Sequence, residues 1–99
     1  MAHRLAPAVE RDLDEIWYYV AKESASFDIA NSLIDTITDR FFLLAGFPYL
    51  GRSREEEFGR GCRSFAVGEY VIVYAVDVED VLILRVVHGR RDIEALFAP

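Results

Sequence analysis

The apolar residues of this chain change their spacing once, and that change constrains the fold more than any other feature. In the first half they recur every three or four residues, which indicates amphipathic helices. One stripe predicts a helix over residues 8–23, and a second stripe, which ends at Gly46 and Pro48, predicts another. After Gly61 the spacing falls to two, and β-branched and aromatic residues become frequent, as is typical of strands. The sequence therefore predicts a helical hairpin followed by a sheet.

Three strands are predicted, over residues 62–67, 70–77 and 81–88. The dipeptide Gly68-Glu69 lies between the first two and fits a two-residue hairpin turn with glycine at its first central position. The segment 46–61 is expected to be a loop, and residues 3–6 are expected to form an edge strand before the first helix.

The two-residue turn fixes the register of the first two strands and places Arg63 opposite Tyr74. If the second turn has an even length, Arg85 joins the same face, whereas an odd-length turn would break this assignment. That face then carries Arg63, Phe65, Val67, Tyr70, Ile72, Tyr74, Ile83, Arg85 and Val87. It is too apolar to remain bare, so we expect it to be a surface for a ligand or a partner.

The opposite face carries small and aliphatic residues, and we expect it to pack under the helical hairpin. The expected core includes Leu13, Trp17, Leu33, Ile37, Val73 and Leu84. Phe42 and Leu43 widen the apolar stripe at the end of the second helix. We expect them to stay uncovered in a lone subunit and, with Tyr70 and Ile72, to contact a partner.

Length and composition fit one domain over residues 1–99. A chain of 99 residues that is 53% hydrophobic can bury a compact core without a disulfide or a metal. Its longest nearly apolar stretch, residues 41–50, is half of a bilayer span, and acidic residues near the start argue against a secretory signal. A single cysteine, Cys62, excludes an internal disulfide and fits a reducing cytoplasm, where we expect the protein to act.

The formal net charge of −6, from 11 basic and 17 acidic residues, argues against a protein that grips nucleic acid with its whole surface. We expect no sequence-specific binding of nucleic acid. The sequence contains no glycine-rich phosphate loop, metal-ligand spacing or dinucleotide motif, so neither a cofactor nor a metal is expected.

Two arginines flank Tyr74 across the predicted sheet. Arg63 and Arg85 could each hold a phosphate or a partner carboxylate through two parallel hydrogen bonds. The alternative is that their stems cover an apolar sheet while their guanidinium groups pair with nearby acids.

A second group of donors follows the last strand. His88 could act as a general acid or base, or it could be a hydrogen-bonded structural residue. Arg90 and Arg91 follow Gly89, where the backbone can bend sharply, and could contact a partner. The alternative is a turn in which Asp92 caps a final helix.

Three blocks of sequence carry a resemblance that extends over nearly the whole chain: FPYLGR at 47–52, RSFAVGEYVI at 63–72 and ILRVVHGRRD at 83–92. Together with the order of elements they resemble the RelE/ParE family of bacterial type II toxins, most closely its ParE branch. The resemblance implies an α+β fold, β-α-α-β-β-β, in which an N-terminal strand and an α-helical hairpin pack on one face of a mainly antiparallel sheet.

The resemblance also implies a function. Members are small toxins held inactive by a cognate antitoxin whose C-terminal segment wraps over them, so we expect a ParD-like partner in a hetero-oligomer and a role in plasmid stabilisation. ParE-branch toxins generally act on DNA gyrase and are not known as nucleases, so the leading hypothesis is inhibition of gyrase by binding. The candidate target contacts are Arg63, Tyr74, Arg85, His88, Arg90 and Arg91. The candidate antitoxin contacts are Phe42, Leu43, Tyr70 and Ile72.

The second hypothesis is a ribosome-dependent mRNA endoribonuclease of the RelE type. In that branch chemistry rests on basic residues from the sheet and an acid or base near the C-terminus, and Arg63 and Arg85 match two of the basic positions. The lysines of other members are absent from the preceding segment, where Arg52, Arg54 and Arg60 stand, and no tyrosine follows the last strand. Attack by a ribose 2′-hydroxyl needs charge stabilisation and proton transfer, so these differences favour gyrase. A third hypothesis is an inert binding module.

Overall fold

The computed structural model describes residues 2–89 and residue 92. Its elements are β1 (Ala2–Leu5), α1 (Pro7–Ser24), α2 (Phe27–Gly46), β2 (Arg52–Ser53), α3 (Glu55–Phe58), β3 (Cys62–Val67), β4 (Tyr70–Val76) and β5 (Asp80–His88). The expected order of a strand, a helical hairpin and a three-stranded meander is confirmed. The segment expected to be a loop contains two short elements, β2 and α3.

The helical hairpin is formed by α1 and α2, whose ends follow from local sequence. Pro7 begins α1 at a position where its missing N–H has no helical partner to lose. The helix ends before Ala25, which adopts a left-handed φ of 53°. Ser26 caps α2 because its hydroxyl accepts a hydrogen bond from the Ile29 N–H over 3.2 Å. Among the described residues, no helix combines the length and apolar character needed to cross a membrane.

The sheet has five strands in the order β1-β5-β4-β3-β2. β1 pairs with β5 in parallel, and the other neighbours are antiparallel. The register predicted for β3 and β4 is confirmed, since Val67 lies opposite Tyr70 and Arg63 lies opposite Tyr74. Gly68 begins their turn with a φ of 59°, which glycine adopts without strain.

A β-bulge in β5 changes the predicted pairing of β4 with β5. The turn before β5 has the even length that the face assignment required, and Tyr74 pairs with Ile83. One residue earlier in β4, Val73 pairs with Arg85 instead of Leu84. From this point on, the alternation of side chains in β5 is shifted by one residue, so its later residues lie on the faces opposite to those predicted.

The helical hairpin packs on the face of the sheet that the sequence predicted to be uncovered. Tyr70, Ile72, Tyr74 and Ile83 are buried there in one cluster with apolar side chains from both helices. The prediction of an open aromatic surface is wrong, and Tyr70 and Ile72 are not available to an antitoxin in this fold. The reason is that large side chains remove more apolar area from water when the helices cover them than the smaller residues of the opposite face would.

The other expected core residues follow from this reversal. Ile37 lies in the core, and Leu13 and Leu33 are partly buried against it. Val73 is buried on the opposite face, because it alternates with the helix-facing residues of β4. Leu84 is half-buried at the bulge. The expectation that Val73 and Leu84 pack under the helices is therefore wrong.

Trp17, also expected in the core, lies half-buried at the margin of the hairpin. Its ring stacks on Phe27 with 5.5 Å between centroids, and its Nε1 donates to Asn31 Oδ1 over 2.8 Å. An indole N–H needs such an acceptor, and the rim of the hairpin supplies one.

Candidate partner-binding surface

Arg63 and Tyr74 together hold the loop that follows α2. The Tyr74 hydroxyl accepts from the Gly51 N–H over 2.9 Å and donates to the Pro48 carbonyl over 2.8 Å. Arg63 Nε donates to the Gly51 carbonyl over 2.9 Å, and Nη2 donates to the Tyr49 carbonyl over 3.3 Å. Residues 48–51, called the anchored loop below, are thus fixed to β3 and β4 by side chains.

The anchored loop fits tightly over Tyr74. Tyr74 is fully buried, and burial, as the largest cause, raises the pKa of its hydroxyl despite the opposing hydrogen bond from Gly51 and the charge of Arg63. A Cβ at Gly51 would lie 2.5 Å from the Tyr74 hydroxyl and 2.6 Å from the Ser64 carbonyl oxygen. The backbone therefore approaches Tyr74 this closely only because residue 51 is glycine.

Large apolar side chains at the end of α2 and in the anchored loop point into solvent. Phe42, Phe47, Tyr49 and Leu50, which we call the α2-end surface, are all exposed, and Tyr49 is 71% exposed. The last three line a shallow hollow of about 360 Å³. The Arg63 guanidinium lies 5.4 Å from the centroid of the Tyr49 ring. The prediction that Phe42 is uncovered is confirmed, whereas Leu43 is half-buried.

Arg85 is bound by a carboxylate of α1. Its Nε donates to Asp12 Oδ2 over 2.8 Å, and its Nη2 donates to Asp12 Oδ1 over 2.9 Å. Asp12 Oδ2 also accepts from the Val86 N–H over 3.0 Å. The Asp12 side chain is 7% exposed and that of Arg85 is 40% exposed. The hydrogen bonds that Arg85 donates to Asp12 are the main cause that raises the pKa of Arg85.

The two arginines predicted to act together are therefore engaged separately. Arg63 binds loop carbonyls, and Arg85 binds Asp12. For Arg85 the alternative left open by the sequence, pairing with a nearby acid, is confirmed. Asp12 was missed, although the sequence holds a signal for it. Its spacing from Val9 and Ile16 places it on the apolar stripe of α1, where a carboxylate needs a buried partner.

His88 is part of the turn that ends the described sheet. It is half-buried, packs edge-on against the Tyr70 ring, and has its Nε2 3.9 Å from a Glu69 carboxylate oxygen. Its N–H donates to Asp92 Oδ2, and its carbonyl accepts from the Asp92 N–H. These contacts fit the structural interpretation of His88. Arg90 and Arg91 lie outside the described residues, as does the expected final helix.

Charge of both signs lines an open groove of the described structure. The groove has a volume of about 630 Å³, and Arg4, Arg60 and Arg63 share its walls with Glu55 and Asp77. Arg4 is itself paired with Asp80 over 2.8 Å. The charge in this groove is therefore mixed, with three arginines against two carboxylates. Within residues 2–89 and 92, no group of three His, Cys, Asp or Glu side chains is arranged as metal ligands are.

The fold has a solved counterpart. A structure of a chromosomal ParDE toxin–antitoxin system from P. aeruginosa matches with a TM-score of 0.74 and 18% sequence identity. The match covers 89% of this chain and 95% of that chain. At this identity the likeness establishes the architecture alone, which is an α+β fold.

Sequence comparison establishes the family. The model of the ParE toxin of type II toxin–antitoxin systems matches residues 4–93. Toxin ParE3 of Caulobacter vibrioides is 34% identical over 87 residues, which cover 88% of this chain and 85% of that protein. The chain belongs to the ParE toxin family of type II toxin–antitoxin systems.

Proposed function

We propose that this toxin inhibits DNA gyrase by binding it, and that a cognate ParD-like antitoxin neutralises the toxin by covering its exposed apolar surface. Gyrase contact is assigned to the segment after β5, which contains Arg90 and Arg91. Antitoxin contact is assigned to the α2-end surface, with Phe42 retained from the sequence prediction. The proposal replaces Tyr70 and Ile72, which are buried, by Phe47, Tyr49 and Leu50.

One observation carries the preference for binding over RNA cleavage. Of the residues that resemble the basic positions of RelE toxins, Arg63 is hydrogen-bonded to the anchored loop and Arg85 to Asp12. A nuclease needs arginines that are free to meet charge as it develops in the transition state. Here the two guanidinium groups are engaged by the protein's own acceptors, which supports a role in architecture.

The α2-end surface supports the antitoxin part of the proposal. Aromatic residues presented on a loop that is already ordered give large contact area without the entropy cost of ordering the loop on binding. Tyr49 meets this description, because its carbonyl is held by Arg63 while its ring stays exposed. The solved structure of similar fold is of a toxin–antitoxin system, which also supports an antitoxin partner.

The function is tested by incubating purified toxin with gyrase and plasmid, and in parallel with ribosomes carrying a message. We expect gyrase supercoiling to be inhibited, the message to remain intact, and addition of the antitoxin to restore supercoiling. Cleavage of the message without an effect on gyrase would refute the gyrase assignment and favour the ribonuclease hypothesis.

The target contacts are tested with a double variant, Arg90→Ala with Arg91→Ala. We expect its affinity for gyrase to fall by about tenfold or more, as for hot-spot residues. The matched control is Arg11→Ala with Arg52→Ala, which removes the same charge from exposed positions on α1 and β2. Equal affinity of both double variants would exclude a specific role for Arg90 and Arg91.

The antitoxin contacts are tested with Tyr49→Ala. Its control is Tyr18→Ala, because Tyr18 is 72% exposed, close to the 71% of Tyr49, but lies on α1. We expect the first variant to weaken antitoxin binding by about tenfold and the second to leave it unchanged. The reverse result would move the antitoxin surface to the helical hairpin.

A further inference from the structure

The bulge in β5 decides which residues of its last turn face the helices. Before the bulge Ile83 faces them, and after it Val86 does, so the helix-facing positions change from odd to even numbers. As a consequence His88 lies opposite Tyr70. Without the shift of one residue, Val87 would lie opposite Tyr70, and His88 would be on the other face of the sheet.

Asp12 holds this bulge from outside the sheet. β1 pairs with β5 as far as Leu5 and Ile83, and the chain then enters α1. Beyond that point Asp12 accepts hydrogen bonds from the Val86 N–H and from Nε and Nη2 of Arg85. One carboxylate thus binds the two residues that directly follow Leu84, the unpaired residue of the bulge. A carboxylate with three hydrogen bonds can remain charged at 7% exposure.

The residues after the bulge build the turn that leaves the sheet. Gly89 donates its N–H to the Glu69 carbonyl over 2.8 Å. His88 packs against Tyr70 and donates its N–H to Asp92 Oδ2 over 3.2 Å, and the Asp92 N–H returns to the His88 carbonyl over 2.9 Å. The ring contact requires His88 to lie on the helix-facing side, and the Gly89 bond requires the register that the bulge sets. The placement of this turn therefore depends on the bulge.

We infer that Asp12 and Arg85 are a positioning pair, which fixes the bulge in β5 and through it the turn at His88 and Gly89, after which the sequence continues to Arg90 and Arg91. The inference rests on the proposed function, in which Arg90 and Arg91 contact gyrase. Arg85 then acts through the turn at His88, Gly89 and Asp92, and does not itself touch the target. This changes the role predicted for Arg85 from the sequence.

The test compares Asp12→Asn with Asp80→Asn in the whole toxin. Asparagine keeps the shape of Asp12, but its NH₂ group cannot accept from Arg85. Asp80→Asn removes the same charge from the other end of β5, where Asp80 pairs with Arg4. Two readouts are used: hydrogen exchange of the Val86 and Gly89 amides, and affinity for gyrase at a temperature where each variant is folded.

We expect Asp12→Asn to speed exchange of the Val86 and Gly89 amides by about tenfold or more, because their local structure opens more often. We expect its affinity for gyrase to fall by about tenfold, with antitoxin binding unchanged. Asp80→Asn should change neither quantity. A folded Asp12→Asn with the amide exchange and gyrase affinity of Asp80→Asn overturns the inference.

A second variant covers the case in which Asp12→Asn does not fold. Arg85→Lys keeps the charge but loses the paired hydrogen bonds of the guanidinium group. We expect faster exchange of the Val86 and Gly89 amides, by less than in Asp12→Asn, and weaker binding to gyrase. Unchanged amides in a folded Arg85→Lys would then overturn the inference.

The failure of the proposed function has a different signature. If the unaltered toxin does not bind gyrase, the proposed target is wrong, and amide exchange alone decides whether Asp12 positions the turn. If Arg90→Ala with Arg91→Ala weakens gyrase binding while Asp12→Asn does not, the proposed function stands and the positioning role is refuted.

Discussion

Arg63 of β3 and Arg85 of β5 lie on either side of β4, yet they hold the fold together in different ways. Arg63 donates to two neutral carbonyls of the anchored loop, at distances of 2.9 and 3.3 Å. Arg85 donates twice to one carboxylate, at 2.8 and 2.9 Å. The first arginine fastens a surface loop, and the second fastens a helix to the sheet.

The difference teaches that an arginine's contribution depends on what its loss leaves behind. The carbonyls bound by Arg63 are neutral, and the bond to Tyr49 is exposed, so water can replace part of what the loss of Arg63 removes. The Asp12 carboxylate bound by Arg85 is almost fully buried. Removing Arg85 would therefore leave the Asp12 charge without its partner and with little hydration. The hydrogen bonds of the two arginines have similar lengths. We nevertheless expect removal of Arg85 to lower the free energy of unfolding much more than removal of Arg63.

The largest effect is expected at Arg85. Arg85→Ala should lower the free energy of unfolding by about 3 kcal/mol, because Asp12 would keep one hydrogen bond, from Val86, and lose two. The value is at the lower end for a buried ion pair, since the 40% exposure of Arg85 gives water a route to the site. Urea denaturation of the variant and the unaltered toxin measures it. A loss as small as that for Arg63→Ala would break the comparison.

The next largest effect probes how closely the loop is anchored. Gly51→Ala introduces a Cβ only 2.5 Å from the Tyr74 hydroxyl and 2.6 Å from a β3 carbonyl oxygen, so loop or strand must shift. We expect a loss of about 2 kcal/mol, typical of overpacking. Gly46→Ala is the control, because nothing lies within 4 Å of a Cβ there. Equal stability of the two variants would show that the loop is loosely held.

Much of the fold could be predicted from the sequence because it follows from local rules. Two helical stripes and three runs of period two gave the elements, and Gly68-Glu69 gave the register of β3 with β4. The face assignment failed for two reasons. The choice of which face the helices cover depends on side-chain volume, and the bulge in β5 has no glycine or proline to mark it.

The candidate site was predictable in part, for a related reason. The positions of Arg63 and Tyr74 followed from the register, because a two-residue turn leaves no freedom. The partner of Arg85 did not, since Asp12 is 73 residues away in sequence. A contact between a helix and a sheet that are so far apart in sequence depends on how the helix packs on the sheet. The residue pattern of α1 or of β5 alone does not determine that packing.

A smaller effect separates the two anchors of the loop from each other. Tyr74→Phe removes one hydroxyl and leaves the Gly51 N–H and the Pro48 carbonyl without that partner. We expect a loss of about 1.5 kcal/mol, because Gly51 is buried and Pro48 is half-buried, so water replaces the hydroxyl poorly. Thermal unfolding of the variant measures it. Stability equal to that of the unaltered toxin would mean that water replaces the hydroxyl.

Arg63→Ala should have a smaller effect still, of about 1 kcal/mol, since it removes hydrogen bonds to carbonyls near solvent and a contact with the exposed Tyr49 ring. The same variant should increase motion of Tyr49, which is seen as faster amide exchange in residues 49–51. A loss equal to that of Arg85→Ala would contradict the distinction between neutral and charged acceptors. Arg63→Lys should recover little, because lysine cannot reproduce the fork.

The smallest expected effect is a change of stability with pH that comes from Tyr74. Burial raises the pKa of its hydroxyl above the ordinary value of 10.0, so the folded state holds the phenolic proton more tightly than the unfolded state. The stability linked to this group is fully present below pH 10.0 and is lost as the pH rises above it, because the unfolded chain ionises first. Phenylalanine has no such proton.

The stability difference between the unaltered toxin and Tyr74→Phe should therefore shrink between about pH 9 and pH 11. Urea denaturation across that range measures the difference, and Tyr18→Phe is the control, because its exposed ring is in water before and after unfolding. A difference that stays constant or grows with pH would mean that the Tyr74 hydroxyl is hydrated in the folded state. The anchored loop would then be held by Arg63 alone, and the two arginines would differ less than their partners suggest.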